Sequence, residues 1–299
     1  MRRLLIIGCG DIALRAVPYL RDRYRIYALT HSREKVSLLR SHGVVPVGGD
    51  LDDSASLACL TGIAHDVLHC APPPHLGARD TRTAHLIAAL AKGKSLPYQL
   101  VYISTSGVYG DCAGELVDET RAPCPLTARA QRRVDAERQL REWGRRSGVR
   151  VSILRAPGIY SEQRLPLGRL HAGTPALHAE EDSYSNHIHA ADLARMAVAA
   201  LRFAHSGRAY NASDDSLLKM GDYFDLVADR CGLPRPQRVS RAEAGLRLPS
   251  DVLSFMDESR RLSNRRIKRE LRLSLRYPTV RDGLAAAQPP RHPSAVAGN

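Results

Sequence analysis

Short apolar runs rich in β-branched residues alternate with amphipathic stretches through the first half of the chain. Residues 4–7, 25–29, 44–47, 66–70, 100–104 and 149–154 read as strands. Between them, residues 11–21, 34–40, 54–60, 78–91 and 127–146 carry the three-to-four-residue apolar spacing of helices. Strands that are apolar almost throughout, separated by helices and short loops, are the pattern of parallel βαβ units. The prediction is an α/β fold, a Rossmann-type doubly wound parallel sheet, which takes its ligand outside the carboxyl ends of the strands.

The second half is less regular. Residues 164–178 hold Pro166, Gly168, Gly173 and Pro175 and read as loop with at most one short helix. Residues 190–202 and 264–270 read as helices, and 208–212 as a strand. A helix over 221–231 is stopped by Gly232 and Pro234. The pattern divides the chain into a Rossmann-type domain over 1–155 and a smaller substrate-facing region over 156–284 that partly returns to the sheet. Residues 285–299, rich in proline and without periodicity, read as a disordered tail.

Composition adds limits. At 43% hydrophobic, 299 residues can bury a sizeable core. Four apolar residues between Arg3 and Gly8 are too few for a secretion signal, and no run approaches the roughly 18 residues of a membrane span. A soluble, cytoplasmic protein is expected. The six cysteines form no Cys-x-x-Cys pair, so neither a disulfide framework nor a metal site is expected. The net charge of +13 invites a nucleic-acid partner. However, five of the 44 basic residues are lysine, and the densest cluster, 260–276, has almost no interleaved aromatics. That cluster reads as a solvated helix face and a nucleic-acid partner is not expected. A basic surface also suits small anionic ligands.

The most informative segment is Gly8-Cys9-Gly10-Asp11-Ile12-Ala13, which follows the first strand and opens a helix. Gly8 permits a tight turn, Gly10 lets the backbone approach a pyrophosphate, and Ala13 permits close helix–strand packing. The helix start offers free N–H groups to phosphate. A nicotinamide dinucleotide is the expected ligand, with Gly8, Gly10, Asp11, Ile12 and Ala13 around its pyrophosphate. Cys9 sits near a helix N-terminus, a setting that can lower a thiol pKa, but a bound cofactor would cover it. At the end of the second strand, where an NAD site usually has an acid for the ribose, the chain has Thr30-His31-Ser32-Arg33. Ser32 and Arg33 suit a 2′-phosphate. NADP(H) is therefore expected over NAD(H), and NAD(H) stays admissible.

From these residues onward the chain resembles the atypical and extended short-chain dehydrogenase/reductase superfamily, in its NAD-dependent epimerase/dehydratase group. The resemblance runs over roughly residues 3–284. It rests on Gly49-Asp50-Leu51, His69-Cys70-Ala71-Pro72, Ser104-Thr105-Ser106-Gly107-Val108-Tyr109-Gly110, Arg155-Ala156-Pro157-Gly158-Ile159-Tyr160 and Ile188-His189-Ala190-Ala191-Asp192-Leu193-Ala194. The resemblance implies that Asp50 and Leu51 touch adenine, that Ala71 and Pro72 flank the cofactor, and that Pro157 packs near the nicotinamide. The GxGxxA spacing, with Ile7 where extended members carry glycine, points to the atypical branch.

The larger departure is catalytic. The family places a Tyr and a Lys four residues apart on the helix after the active-site strand, and the matching positions are Arg129 and Arg133. One helical turn lets both project on one face. Arginine stays protonated and cannot replace the tyrosine as acid or base. Arg129 suits an anionic group on the substrate, Arg133 suits the ribose, and Thr105 matches the family's Ser/Thr hydrogen-bond donor. Tyr109, Tyr160, Tyr184, His187 and His189 are substitute acids by type only, and His189 and Asp192 more naturally start the following helix. Two functions are left open: an NADP(H)-dependent oxidoreductase or epimerase-like enzyme acting on a small, possibly anionic molecule, and a dinucleotide-binding sensor that has lost catalysis. The resemblance further implies a possible homodimer through the helix carrying both arginines, with Leu126, Ala130, Val134 and Ala136 serving either that face or the core.

Overall fold

The computed structural model describes residues 1–249, 252–253 and 256–286. Seven parallel strands form the central sheet: β1 (Arg2–Ile7), β2 (Tyr24–Thr30), β3 (Val45–Gly48), β4 (Asp66–His69), β5 (Gln99–Thr105), β7 (Arg150–Ala156) and β12 (Ala209–Asn211). Their order is β12-β7-β5-β4-β1-β2-β3. The chain winds outward from β1 in both directions, so the topological switch lies between β1 and β4, where Ile7 pairs with His69. Helices α1 (Asp11–Leu20), α2 (Glu34–Ser41), α3 (Thr81–Ala91), α4 (Ala128–Ser147) and α6 (Ala190–Phe203) accompany the sheet. One apolar layer joins α1 and α6 to the sheet, and the other joins α3 and α4 to it. Covered on both faces, the strands tolerate the nearly unbroken apolar runs seen in the sequence.

The remaining elements are short. They include β6 (Leu116–Val117), β8 (Gly158–Tyr160), α5 (Leu167–His171), β9 (Ala176–Leu177), β10 (Tyr184–Ser185), β11 (His187–His189), β13 (Leu218–Lys219), α7 (Met220–Cys231), β14 (Arg238–Val239), α8 (Arg241–Arg247), β15 (Arg261–Leu262), α9 (Arg265–Glu270) and α10 (Val280–Ala286). Four two-stranded pairs knit them together beside the carboxyl end of the sheet: β10 with β13, β11 with β8, β14 with β9 and β15 with β6. None of the described helices is long and apolar enough to cross a membrane.

Several local expectations need correction. Ser54–Leu60 is a 3-10 turn rather than an α-helix. The expected 78–91 helix starts at Thr81, because Asp80 caps it through Thr83 N. Helix α8 was readable from Ser240 and Glu243, a reciprocal capping box in the structure. Helix α10 runs to Ala286, past the expected start of the tail; residues 287–299 lie outside the described residues. The 260–276 run is not one solvated face, because Arg260 is half-buried and bonded to Glu258 and Gly110. On α4, Ala130 and Ala136 belong to the interior and Leu126, just before the helix, is exposed.

A buried ion pair fixes α4 against the sheet. Arg155, late in β7, donates from Nε and Nη2 to the two carboxylate oxygens of Glu137 at 3.1 and 2.7 Å. Both side chains are 4% exposed. Burial alone would push the Arg155 guanidinium down, but the bonds to Glu137 reverse this and hold it above its ordinary value. The guanidinium carbon lies 4.8 Å from the centroid of the Tyr109 ring, and Tyr109 OH donates to Asn211 Oδ1 at 2.7 Å. Replacing Glu137 by Ala strands a buried cation and should cost about 3–5 kcal/mol in urea unfolding. Replacing the pair together, Glu137→Leu with Arg155→Met, should recover most of that loss; equal damage from the double change would refute the account.

Candidate functional site

At the switch between β1 and β4 the chain passes through the glycine loop. Gly8 has φ +80°, and a Cβ there would fall 2.5 Å from Ala71 N and 2.6 Å from Ala71 Cα. The residue must be glycine because the β4 end crosses directly over it. A Cβ on Gly10 would meet nothing within 4 Å. Its exposed backbone thus faces open space at the start of α1, the geometry that lets a pyrophosphate approach.

That space is a cavity of about 390 Å³. Of the residues expected around a cofactor, Gly8, Gly10, Thr30, Ser32, Asp50, Leu51, Ala71 and Pro72 line it. Ile12 and Ala13 are buried beneath the loop, and Asp11 turns to Arg15 at 2.7 Å and Arg164 at 3.5 Å. Arg33 is exposed at the start of α2 and is not among the lining residues. His31, Lys35 and Arg82 line the cavity instead. Lys35 lies three residues beyond Ser32, a cation the sequence offered but Arg33 overshadowed. Arg82, far along the chain, is held by Asp52 through bonds of 2.8 and 2.6 Å.

The two cavity cysteines are poor nucleophiles. Burial pushes the Cys9 thiol up to about 11, outweighing the nearby Lys35. Burial likewise pushes Cys70 up to about 12. The helix N-terminus therefore does not activate Cys9.

A second cavity, about 240 Å³, opens at the ends of β5 and β7. Thr105, Arg129 and Pro157 line it, together with Tyr184, Ser185, Glu258 and Arg260, among others. Thr105 Oγ1 accepts from Gly107 N at 3.2 Å, which orients its hydroxyl. Arg260 Nη1 donates to Gly110 O at 2.6 Å and to Glu258 at 2.9 Å. Ser185 Oγ lies 3.3 Å from His187 Nε2, and that imidazole stacks on Tyr223 with ring centroids 4.0 Å apart. Burial pushes His187 down to about 3, so it is neutral at ordinary pH.

Arg129 and Arg133 have different surroundings despite sharing a helix face. Arg129 borders the second cavity. Arg133 Nη1 donates to Tyr102 OH at 2.9 Å, Ile103 O at 3.0 Å and Ala71 O at 3.4 Å. It ties the wall of the first cavity to the strand that delivers Thr105 to the second. Tyr102 is fully buried, and its phenol is pushed up to about 12 chiefly by burial.

The other substitute acids divide clearly. Tyr109 bonds Asn211 and Tyr160 OH donates to Thr279 O at 3.2 Å, both inside the protein. His189 caps α6 by accepting from Ala191 N at 3.2 Å. Asp192, fully buried, accepts from Tyr277 N at 2.8 Å and Arg276 N at 3.0 Å. Tyr184 and Ser185 with His187 are left beside the second cavity. Ser185, Glu258 and Arg260 had no motif to mark them, because the short strand pairs that gather them are visible only in the fold.

A broader trough of about 1060 Å³ lies away from the glycine loop, beside α4, between Arg138, Arg141 and Arg145 and the segment 119–123. Its volume exceeds the other two. However, it lies outside the strand ends where open α/β sheets take ligands, so size does not make it the site.

Buried titration gives a test of this region. Asp214 N donates to His187 O at 2.8 Å. Burial pushes the Asp214 carboxyl up from 3.8 to about 7, against the hydrogen bonds from Ser216. A carboxyl raised on folding contributes stability that is fully present below 3.8 and is lost as pH climbs to about 7. The loss is about 1.4 kcal/mol per pH unit within that window. Asp214→Asn should abolish this slope. In denaturant titrations its advantage over the parent should grow with pH and level off above about 7. The opposite, acid-side loss from His187 is common to both proteins and cancels. Parallel pH profiles would contradict the assignment.

The model of the NAD dependent epimerase/dehydratase family matches residues 5–213. No curated protein gives a significant match. Among solved structures, a functionally unknown conserved protein from Silicibacter pomeroyi DSS superposes with a TM-score of 0.78 at 28% identity, covering 96% of this chain and 98% of that one. UDP-glucose 4-epimerase from Thermotoga maritima, solved with UDP-glucose, gives 0.75 at 17% identity over 94% and 96%. A dTDP-glucose 4,6-dehydratase double mutant from Streptomyces venezuelae, solved with NAD and DAU, gives 0.73 at 22% over 95% and 94%.

Proposed function

The chain belongs to the NAD dependent epimerase/dehydratase family, and from that premise we propose that it is an NADP(H)-dependent oxidoreductase or epimerase-like enzyme acting on a small, polar, anionic molecule. The observation carrying this reading is the pairing of two cavities across Arg133. One has the glycine loop for a dinucleotide. The other has Thr105 and Arg129 for a substrate. Two structural neighbours, solved with UDP-glucose and with NAD, share the fold.

The residues at the dinucleotide cavity fit the proposed cofactor. Gly8 and Gly10 leave the cradle open for a pyrophosphate, and Leu51 offers an apolar wall for adenine. At the end of β2, Ser32 and Lys35 take the 2′-phosphate, the lysine acting as a point charge. When bound, the nicotinamide supplies or accepts hydride.

The chain's own residues then orient and polarise the substrate. Thr105 donates a hydrogen bond to the reacting oxygen, its other side already used by Gly107 N. Arg129, permanently charged, neutralises an anionic substrate group or a developing oxyanion. Ser185, steadied by His187, offers a second hydroxyl. Arg133 is spent on Tyr102 and two carbonyls, so it acts as a strut behind the site.

Calorimetric titration with both cofactors tests the first half. NADPH should bind about tenfold or more tightly than NADH, and Lys35→Ala should erase most of that difference, a loss of about 1.4 kcal/mol. Tighter NADH binding would reverse the cofactor assignment, and binding of neither would overturn the whole reading. Screening the NADPH-loaded protein against carbonyl compounds and nucleotide sugars tests the second half. Binding with neither NADPH oxidation nor any epimerised product across a broad panel, with NADP+ as well as NADPH, would mark a dinucleotide-binding sensor instead.

A further inference from the structure

The end of the sheet opposite the glycine loop has a chemistry of its own. Strand β1 begins at Arg2, β2 at Tyr24 just after Arg23, β5 just after Tyr98, and β7 at Arg150. The strand order sets these residues in a row across β7-β5-β4-β1-β2. Tyr98 is 58% exposed, and the guanidinium carbons of Arg2 and Arg150 each lie 5.6 Å from its ring centroid. The last turn of α6 adjoins the row. There Arg202 and Phe203 share a cavity of about 430 Å³ with Arg2, Arg23 and Tyr24. Arg202 and Arg272 sit 5.3 and 5.8 Å from the Phe203 ring centroid.

Little on this end neutralises the charge. Asp66 is fully buried and taken by Arg2 at 2.8 Å, and Asp22 is exposed beside Arg23. Arg23, Arg150, Arg202 and Arg272 have no carboxylate within ion-pair distance among the described residues. Guanidinium planes against exposed aromatic rings offer two things together: charge for phosphate, and flat faces for unstacked bases.

We propose that this end of the sheet binds single-stranded nucleic acid. Four strand spacings of about 4.8 Å give a row of about 19 Å, long enough for a short stretch of extended single strand. A duplex keeps its bases stacked inside and cannot use the rings. Lipid headgroups and acidic side chains can use the charge but not the planar ladder. The protein's net charge of +13 favours encounter with a polyanion. The sequence did not show this surface, because its members come from six separate segments of the chain.

Fluorescence anisotropy with short labelled single-stranded RNA and DNA tests the proposal, and comparing the two shows which sugar is preferred. Both the full-length protein and its variants are used. Binding at low salt should weaken as salt rises, with a log–log slope near −3 for about four phosphate contacts. Tyr98→Ala and Phe203→Ala should each weaken binding at least about fivefold. Arg23→Gln should lower the slope by about 0.7. Arg235→Glu with Arg247→Glu, an exposed basic pair around β14 and α8 at the other end of the sheet, should leave affinity within about twofold. Thermal unfolding of each variant confirms that the protein is intact.

Saturating NADPH should not displace the oligonucleotide. Displacement would place nucleic acid in the glycine-loop cavity and overturn the proposal. So would absence of binding at low salt, insensitivity to the two ring substitutions in folded protein, or equal loss from the remote pair. Binding of anionic vesicles or poly-glutamate, but not of oligonucleotides, would assign the surface to another partner.

Discussion

The pair of Arg155 with Glu137 is the constraint on which the ligand end depends. It joins the last part of β7 to the middle of α4, both partners almost without solvent. A buried ion pair is not a cheap source of stability, because both charges must leave water. What it supplies here is register. A shift of α4 by one residue would leave two buried charges unpaired, so the helix has one permitted position. Arg129 and Arg133 precede Glu137 on that helix, and their placement follows from it. Through the Tyr109 ring and Asn211, the same network holds the 106–109 turn and joins it to the segments at Val117 and Ser263.

The two arginines then show how position changes the meaning of a residue type. Neither guanidinium can lose a proton near neutrality. Arg133 is consumed by Tyr102 OH and two backbone carbonyls, a cross-brace between strands β4 and β5. Arg129 stays at the cavity, where a fixed positive charge can act only by electrostatics. Under the proposed function, any proton transfer would fall to the neighbouring hydroxyls. Ser185 is the one backed by an imidazole, which burial keeps neutral.

The two ends of the sheet divide the chemistry between them. At the carboxyl ends, glycines and small side chains make hollows that can take one dinucleotide and a small partner. At the amino ends, arginines and rings make a flat, charged surface suited to an extended ligand. A parallel sheet forces this separation, because every strand runs the same way and every loop of one kind gathers at one end.

The alternation of strands and helices was legible in the sequence because its causes are local. Apolar runs such as Leu4–Ile7, the glycines at 8 and 10, and the Thr127 cap of α4 act on their own neighbourhoods. The need for glycine at position 8 was legible too, although its reason, the crossing of Ala71, belongs to the fold. Long-range geometry decided the rest. Lys35 rather than Arg33 borders the cavity, although both are exposed, because the path of the chain from β2 into α2 sets which of them lies beside the glycine loop. Ser185 and Arg260 line one cavity because Asn186 bonds Arg260 O and Leu262 N from far along the chain. The basic, ring-bearing end exists because strand order brings Arg2, Tyr98 and Arg150 together. Residue spacing determined which elements form and which loop faces a phosphate. Only the tertiary structure decided which charges share a space, because electrostatic contact depends on distance through space and not along the chain.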